Sequence, residues 1–298
     1  VSELSASRLD GLPGHFERLE SYLPFDLTVF ENFFLATLVL SAIVAFRYFL
    51  IVTPIWAMLY LPKPNSNRST AWAKRQIYDT LPSKEIQGFE IKWSVITSLL
   101  FGLSGVGLGL IWQIGWTKIY LSFTQYGLWY LPVSFVVMSI LHDFYFYVTH
   151  RWLHLPRVYR KFHSLHHQSL TPSPWASFSF HPVEGFIQAL AIPLIVLFLP
   201  VHPTVLLAYL TFMTVSAIIN HLGFEVLPPN RFGQFLGRWL ITGTHHAQHH
   251  RYFRTNYGLF FTFWDKVFAT EDSRYEAELQ RLAKNDELQA LVQAEDQL

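Results

Sequence analysis

His150-Arg151-Trp152-Leu153-His154, His163-Ser164-Leu165-His166-His167 and His246-Ala247-Gln248-His249-His250 decide how this chain is read. All fourteen histidines except His15 lie between His142 and His250. On a helix, residues i, i+3 and i+4 share a face, so each cluster is expected to aim its imidazoles at one point. Imidazole is the commonest metal-ligating side chain. Eight such rings exceed what one tetrahedral or octahedral ion accepts, which predicts two metals held almost wholly by nitrogen. A lone i,i+4 pair is ordinary in a helical core. Two H-x-x-H-H copies with an H-x-x-x-H, beside long apolar segments, are not.

The apolar segments dominate the composition. Hydrophobic residues make up 51% of the 298 and charged residues 14%, against a usual charged share of about 25%, and that deficit points to a membrane. The chain has no cysteine. Disulfides, cysteine-held iron–sulfur clusters, thiolate zinc sites and cysteine nucleophiles are therefore excluded. A net charge of +1 gives no reason to expect nucleic acid as a partner. The N-terminal stretch, residues 1–28, is polar and net acidic without a basic n-region, so no signal peptide is expected.

Val29–Leu61 is apolar apart from Glu31, Asn32 and Arg47, and its run is long enough to span. Trp93–Trp116 carries no charge and is bracketed by tryptophans, which favour the membrane interface. Tyr126–Val148 is a third span and runs directly into the first histidine cluster. Phe186–Leu199 and Thr204–Ile219 flank Pro200-Val201-His202-Pro203 and read as a hairpin, placed at 183–220. Its arms are short for a crossing, about 21–24 Å. The second and third clusters must lie on one membrane face to meet, which an even number of crossings permits. Segment 62–92 and the stretch holding Arg151, Arg157, Arg160 and Lys161 are both basic, so the positive-inside rule puts the histidine face in the cytoplasm. Residues 271–298 read as a polar helical tail.

A hydrolytic H-E-x-x-H site needs Glu where this chain has Arg151. Carboxylate di-iron bundles use Glu-x-x-His, and His181-Pro182-Val183-Glu184 runs in the opposite order. A histidine-rich non-haem iron pair remains, able to use dioxygen on an unactivated lipid C–H bond. The pattern Asp143…Tyr147…His150-x-x-x-His154, Phe162-His163-x-x-His166-His167, His181-Pro182-x-Glu184, His246-x-x-His249-His250 and Asn256-Tyr257-Gly258…Trp264-Asp265 resembles the fatty acid hydroxylase/sterol desaturase superfamily over roughly residues 90–270. Within it, Pro172–Gln188 and Thr244–His250 are most similar to sterol C-5 desaturases (lathosterol oxidases).

The resemblance implies an all-α integral membrane protein. About four transmembrane helices, over 29–148 and the hairpin, would carry a cytoplasmic histidine-rich helical cap holding a dimetal centre, with the catalytic region at 149–270. It implies two iron ions, with zinc a competitor in a purified sample. Its reaction would be O2-dependent desaturation of a sterol or related lipid, and its electrons would come from cytochrome b5 or ferredoxin with a reductase. The alternatives are a fatty acid, carotenoid or other lipid hydroxylase on the same fold, or a non-enzymatic membrane metal-binding protein. The expected membrane is a bacterial inner membrane or the endoplasmic reticulum. Carried over by position, the ligands are His150, His154, His163, His166, His167, His246, His249 and His250, joined by His221 and His181. His142, His202 and His245 are expected outside the ligand set, and His15 carries no signal. Asp143, Glu184, Glu225 and Asp265 are read either as carboxylates supporting the ligands or as ion-pair partners of Arg151, Arg160 or Arg251. Trp152, Phe162, Trp175, Phe178 and Phe180 are candidate linings of a lipid pocket.

Overall fold

Phe30–Tyr60 (α1) is one 31-residue helix in the computed structural model, which describes residues 25–61, 72, 74–281 and 284. The expected N-terminal polar segment therefore lies almost wholly outside the described residues, as do parts of the 62–92 connection and of the C-terminal tail. The described part of the tail is helical over residues 275–281.

Lys84–Gln113 (α2) begins well before the expected apolar run. Ser83 accepts a hydrogen bond from the backbone N–H of Ile86, and the helix-favouring residues after it extend the span into the polar connection. Tyr130–Leu153 (α3) continues past Val148, which carries His150 on its last turn. The first arm of the expected hairpin is broken into Pro182–Ala189 (α4) and Ala191–Val196 (α5). Pro193 has no N–H to give the carbonyl of Ala189, and Ser104 Oγ donates to that carbonyl instead, at 2.8 Å. Pro203–Asn220 (α6) is the second arm.

The described residues are all-α. Among them four helices, α1, α2, α3 and α6, are long and apolar enough to cross a membrane. At 1.5 Å per residue the 18 residues of α6 reach about 27 Å, close to the hydrocarbon thickness. Phe30, Phe34, Phe46 and Leu50 of α1 and Leu207 of α6 point outward, as lipid-facing residues do. Helices α1 and α2 approach closely because Gly102 faces Ser41; any side chain there would run into the Ser41 backbone.

The connections sort to the two ends of the bundle. At one end Ile119 bridges Val201, and His202 Nε2 meets the carbonyl of Leu121 at 3.0 Å. At the other, Gln76 bridges Phe224, and Glu225 N–H donates to the carbonyl of Arg75. The α1–α2 connection thus packs at the same end as the exits of α3 and α6. A short cap covers that end, with Arg231–Gly237 (α7), Gly243–Tyr252 (α8) and Phe263–Val267 (α9). Tyr48, Val52, Trp175, Phe178, Ile218 and Phe224 form the apolar core that joins cap to bundle. Tyr48 Oη (2.7 Å) and Ser94 Oγ (2.8 Å) both donate to the carbonyl of Trp175, fixing the cap's height above the spans.

Candidate metal centre

Each histidine cluster arrives on a different local geometry. His150 ends α3 and His154 caps it. His163 closes a π-helical turn, Tyr159–His163, and His166 and His167 open a 3-10 turn, His166–Gln168. His246, His249 and His250 lie on α8, whose first turn is anchored by Thr242 Oγ1 accepting from His245 N–H. Glu225 accepts from Thr244 N and Oγ1 at the same N-terminus, where the helix dipole favours a carboxylate. His221 caps α6.

Nine histidines gather into two groups: His150, His154, His163, His167 and His249, and then His166, His221, His246 and His250. The nitrogens that each group offers lie within 4.8 Å of one another. All are buried except His154, which is half-buried. The clusters do not each serve one point, as expected from spacing. The i and i+4 members stay together, as in His150/His154, His163/His167 and His246/His250, while the i+3 members His166 and His249 cross to the other group. At 100° per residue, i+4 lies about 40° to one side of i and i+3 about 60° to the other. Each H-x-x-H-H therefore serves two adjacent centres.

The facing Nε2 atoms carry the argument for a cation. His221 Nδ1–H donates to the carbonyl of Ala217 (2.8 Å) and His166 Nδ1–H to that of Ser179 (3.1 Å), yet their Nε2 atoms are 3.3 Å apart. In the other group His150 Nδ1–H donates to Tyr257 O (2.9 Å), and His163 Nδ1 lies 2.8 Å from Glu184 Oε1. Their Nε2 atoms are 3.2 Å apart. In the His166/His221 pair, neutral rings with their only N–H engaged outward present lone pair to lone pair at that distance, which is repulsive unless a cation lies between them. Two nitrogens bound at about 2.1 Å to one ion are separated by roughly 3.0–3.4 Å, and the contacts in both groups span 3.0–3.3 Å. The outer nitrogens of His249 and His250 are likewise held, by Thr255 O (2.7 Å) and Ser169 O (3.0 Å). Burial, reinforced by the neighbouring imidazoles, holds His163, His166, His167, His246, His249 and His250 well below the ordinary imidazole value. Burial lowers His221 to about 4. All are neutral at physiological pH, the form that binds metal. The residues fit two nitrogen-ligated ions of the zinc, copper, iron or nickel class.

His181 is not brought into either group. Its Nδ1 accepts the N–H of Val183 and caps α4, its ring packing on Phe162. The proline after it starts a helix, which fixes His181 as an N-cap. His181→Ala is expected to leave metal content unchanged and to cost about 1 kcal/mol of stability; loss of an ion equivalent by elemental analysis would place it back among the ligands. His142 pairs with Tyr209 Oη (2.9 Å) and His202 caps α6. His245 is buried outside both groups against Tyr275. His15 lies outside the described residues.

The four carboxylates divide. Glu184 alone approaches a grouped histidine. Asp143 Oδ1 accepts the backbone N–H of Leu259 and Phe260 (3.1 and 2.7 Å), and Asp265 accepts those of Tyr257 and Gly258 (2.8 Å each). They shape the loop over the centre, and Tyr257 then offers its carbonyl to His150. Among the described residues none of the four forms an ion pair with Arg151, Arg160 or Arg251.

Below the centre lies an apolar cavity of about 320 Å³ walled by residues of α1 to α6. Exposed Ile43 and Leu207 stand at its mouth, on the lipid-facing side. Phe146 and Phe180 form its inner wall, with ring centroids 4.9 Å from His150 and 5.1 Å from His166. Of the expected pocket aromatics, Phe178 and Phe180 line it. Trp175 packs against Tyr48 and Trp56, and Trp152 is exposed.

Residues 135–270 match the family described as fatty acid hydroxylase. Human lathosterol oxidase is 33% identical over 180 residues, covering 60% of this chain and 58% of that protein. The Delta(7)-sterol 5(6)-desaturase of Candida glabrata is 32% identical over 208 residues, 67% of this chain and 55% of its own length. That of Eremothecium gossypii is 30% identical over 222 residues, 74% and 61% respectively. The chain thus spans little more than half the length of these relatives. No solved structure matches it.

Proposed function

We propose, from the match of residues 135–270 to the fatty acid hydroxylase family, that the chain is a membrane-bound, O2-dependent lipid oxidoreductase that desaturates a sterol or related lipid. The relatives' names favour a sterol and desaturation over the hydroxylase outcome. One observation carries the reading. The cavity is open on the bilayer side and ends on Phe146 and Phe180, the rings packed against His150 and His166. A lipid entering sideways would present its C–H bonds to the centre without crossing water.

The nine grouped histidines would hold two iron ions, which when bound supply the oxidising power that no side chain here has. The carbonyls of Tyr257, Ser179, Ala217, Thr255 and Ser169 set the tautomer and direction of His150, His166, His221, His249 and His250, and the Glu184 carboxyl group lies against His163. Phe146 and Phe180 exclude water between lipid and metals. Electrons come from a separate donor, cytochrome b5 or ferredoxin with its reductase. Exposed Arg151, Arg157, Arg160 and Lys161 offer an acidic donor its docking surface beside the centre. Residues 149–270 act as the catalytic region, the histidine end faces the cytoplasm, and the host membrane is the endoplasmic reticulum or a bacterial inner membrane. Lipid profiling of cells with and without the gene tests the reading. A lipid two hydrogens lighter is expected to appear with the chain and to vanish with His166→Ala. A product heavier by one oxygen assigns hydroxylation, and unchanged lipids reject the oxidoreductase reading.

A further inference from the structure

Gln188 is the one polar side chain in the run Phe186–Leu199. It lines the cavity, and its Nε2 and Oε1 atoms are both shielded from solvent and without a hydrogen-bond partner. Because both atoms lack partners, the observation does not depend on which way the amide is turned. A buried amide left unpaired is costly, so each such group calls for a functional explanation, and one that faces a cavity is placed to meet what fills it. Arg47, the only basic residue of α1, lines the same cavity. Its Nη2 donates to Thr214 Oγ1 (3.1 Å), and among the described residues no carboxylate lies within ion-pair distance of it. A charged residue inside a span and facing a cavity marks a ligand contact.

Resting on the lipid-oxidising reading above, we propose that Gln188 is the specificity-determining residue of the cavity, binding the hydroxyl group of its lipid, with Arg47 as the second contact. The amide needs both a donor and an acceptor. A hydroxyl supplies both, donating to Oε1 while accepting from Nε2 or from Arg47. A carboxylate only accepts and would leave Oε1 bare. Depth agrees. Gln188 lies one turn, about 6 Å, below Glu184, which touches His163. Thr214, which holds Arg47, lies seven residues and roughly 10 Å before His221 along α6. The hydroxyl is therefore anchored within about 10 Å of the histidine layer, as in a compact ring lipid oxidised near its alcohol. In a long chain oxidised far from its head group it would lie much deeper.

Binding of radiolabelled lathosterol, its 3-deoxy analogue and stearate to the purified chain in detergent tests this without turnover. Lathosterol is expected to bind at least about tenfold more tightly than the deoxy analogue. Gln188→Met, nearly isosteric, is expected to erase that preference while leaving deoxy binding and metal content unchanged. Arg47→Met is expected to reduce it in part. Discrimination unaltered in Gln188→Met, tighter binding of stearate, or binding of none of the three overturns the proposal. Discrimination without any product from a reconstituted electron donor upholds Gln188 and sinks the oxidoreductase reading alone.

Discussion

The double variant His166→Ala/His221→Ala is expected to retain about one metal ion per chain, and His166→Ala/His163→Ala to retain none. Both pairs remove two of nine rings, and both contain His166. They differ only in how the rings are shared: His166 and His221 face one group, while His163 belongs to the other. Losing a second ligand from a group already broken costs little more, whereas one loss in each group breaks both. Activity of either variant, or of any single grouped His→Ala, is expected to fall at least about 100-fold, beyond the loss seen when a residue behind a ligand is removed. Elemental analysis of protein purified under metal-replete conditions reads the counts. Equal metal content in the two double variants would show either that His163 and His166 serve the same ion or that His150, His154, His167 and His249 hold one without His163.

That crossing of neighbours marks the limit of what the sequence discloses. The helical segments were legible because lipid imposes a length and an absence of charge, and Trp93–Trp116 satisfied both. Their ends were not. Ser83 moved the start of α2 into polar sequence, and Pro193 split an apolar run that composition alone reads as continuous. Likewise the spacing announced that His163, His166 and His167 share a helix face. Which ion each would meet depended on the π-helical and 3-10 turns that carry them, and no residue type signals those turns. His181 looked equivalent to His221, since each is a lone histidine beside a helix. Their difference is the helix end they occupy. His221 ends α6 and projects into the cap, while His181 begins α4 and turns back on Val183. The supporting carbonyls of Ser169, Ser179, Ala217 and Thr255 leave no trace in side-chain identity. Gln188 did leave one, as the single amide in an apolar run, and a tally of apolar residues passes over it.

Removing the ions is expected to loosen the cap while sparing the bundle. Helix α8 holds its place through His246, His249 and His250, and its own residues add little apolar burial beyond Ala247. Without a cation, the Nε2 atoms of His166 and His221 confront each other with nothing to bind, so their group pushes its helices apart. Binding at about a thousandfold above the dissociation constant contributes about 4 kcal/mol, so chelation is expected to lower Tm by about 10 °C. Hydrogen exchange is expected to accelerate in residues 243–252 and to stay unchanged in α1 and α2, whose contact through Ser41 and Gly102 involves no histidine. Acid acts in the same direction. The buried imidazoles are depressed in the folded state, His221 to about 4, whereas the unfolded chain takes up protons near the ordinary value of about 6.5. Between those values the unfolded state binds more protons, so stability is full above about 6.5 and is lost progressively as pH falls toward 4. A chelated protein that melts at the same temperature as the metal-loaded one, or α8 amides that stay protected after chelation, would mean that apolar packing rather than coordination holds the cap.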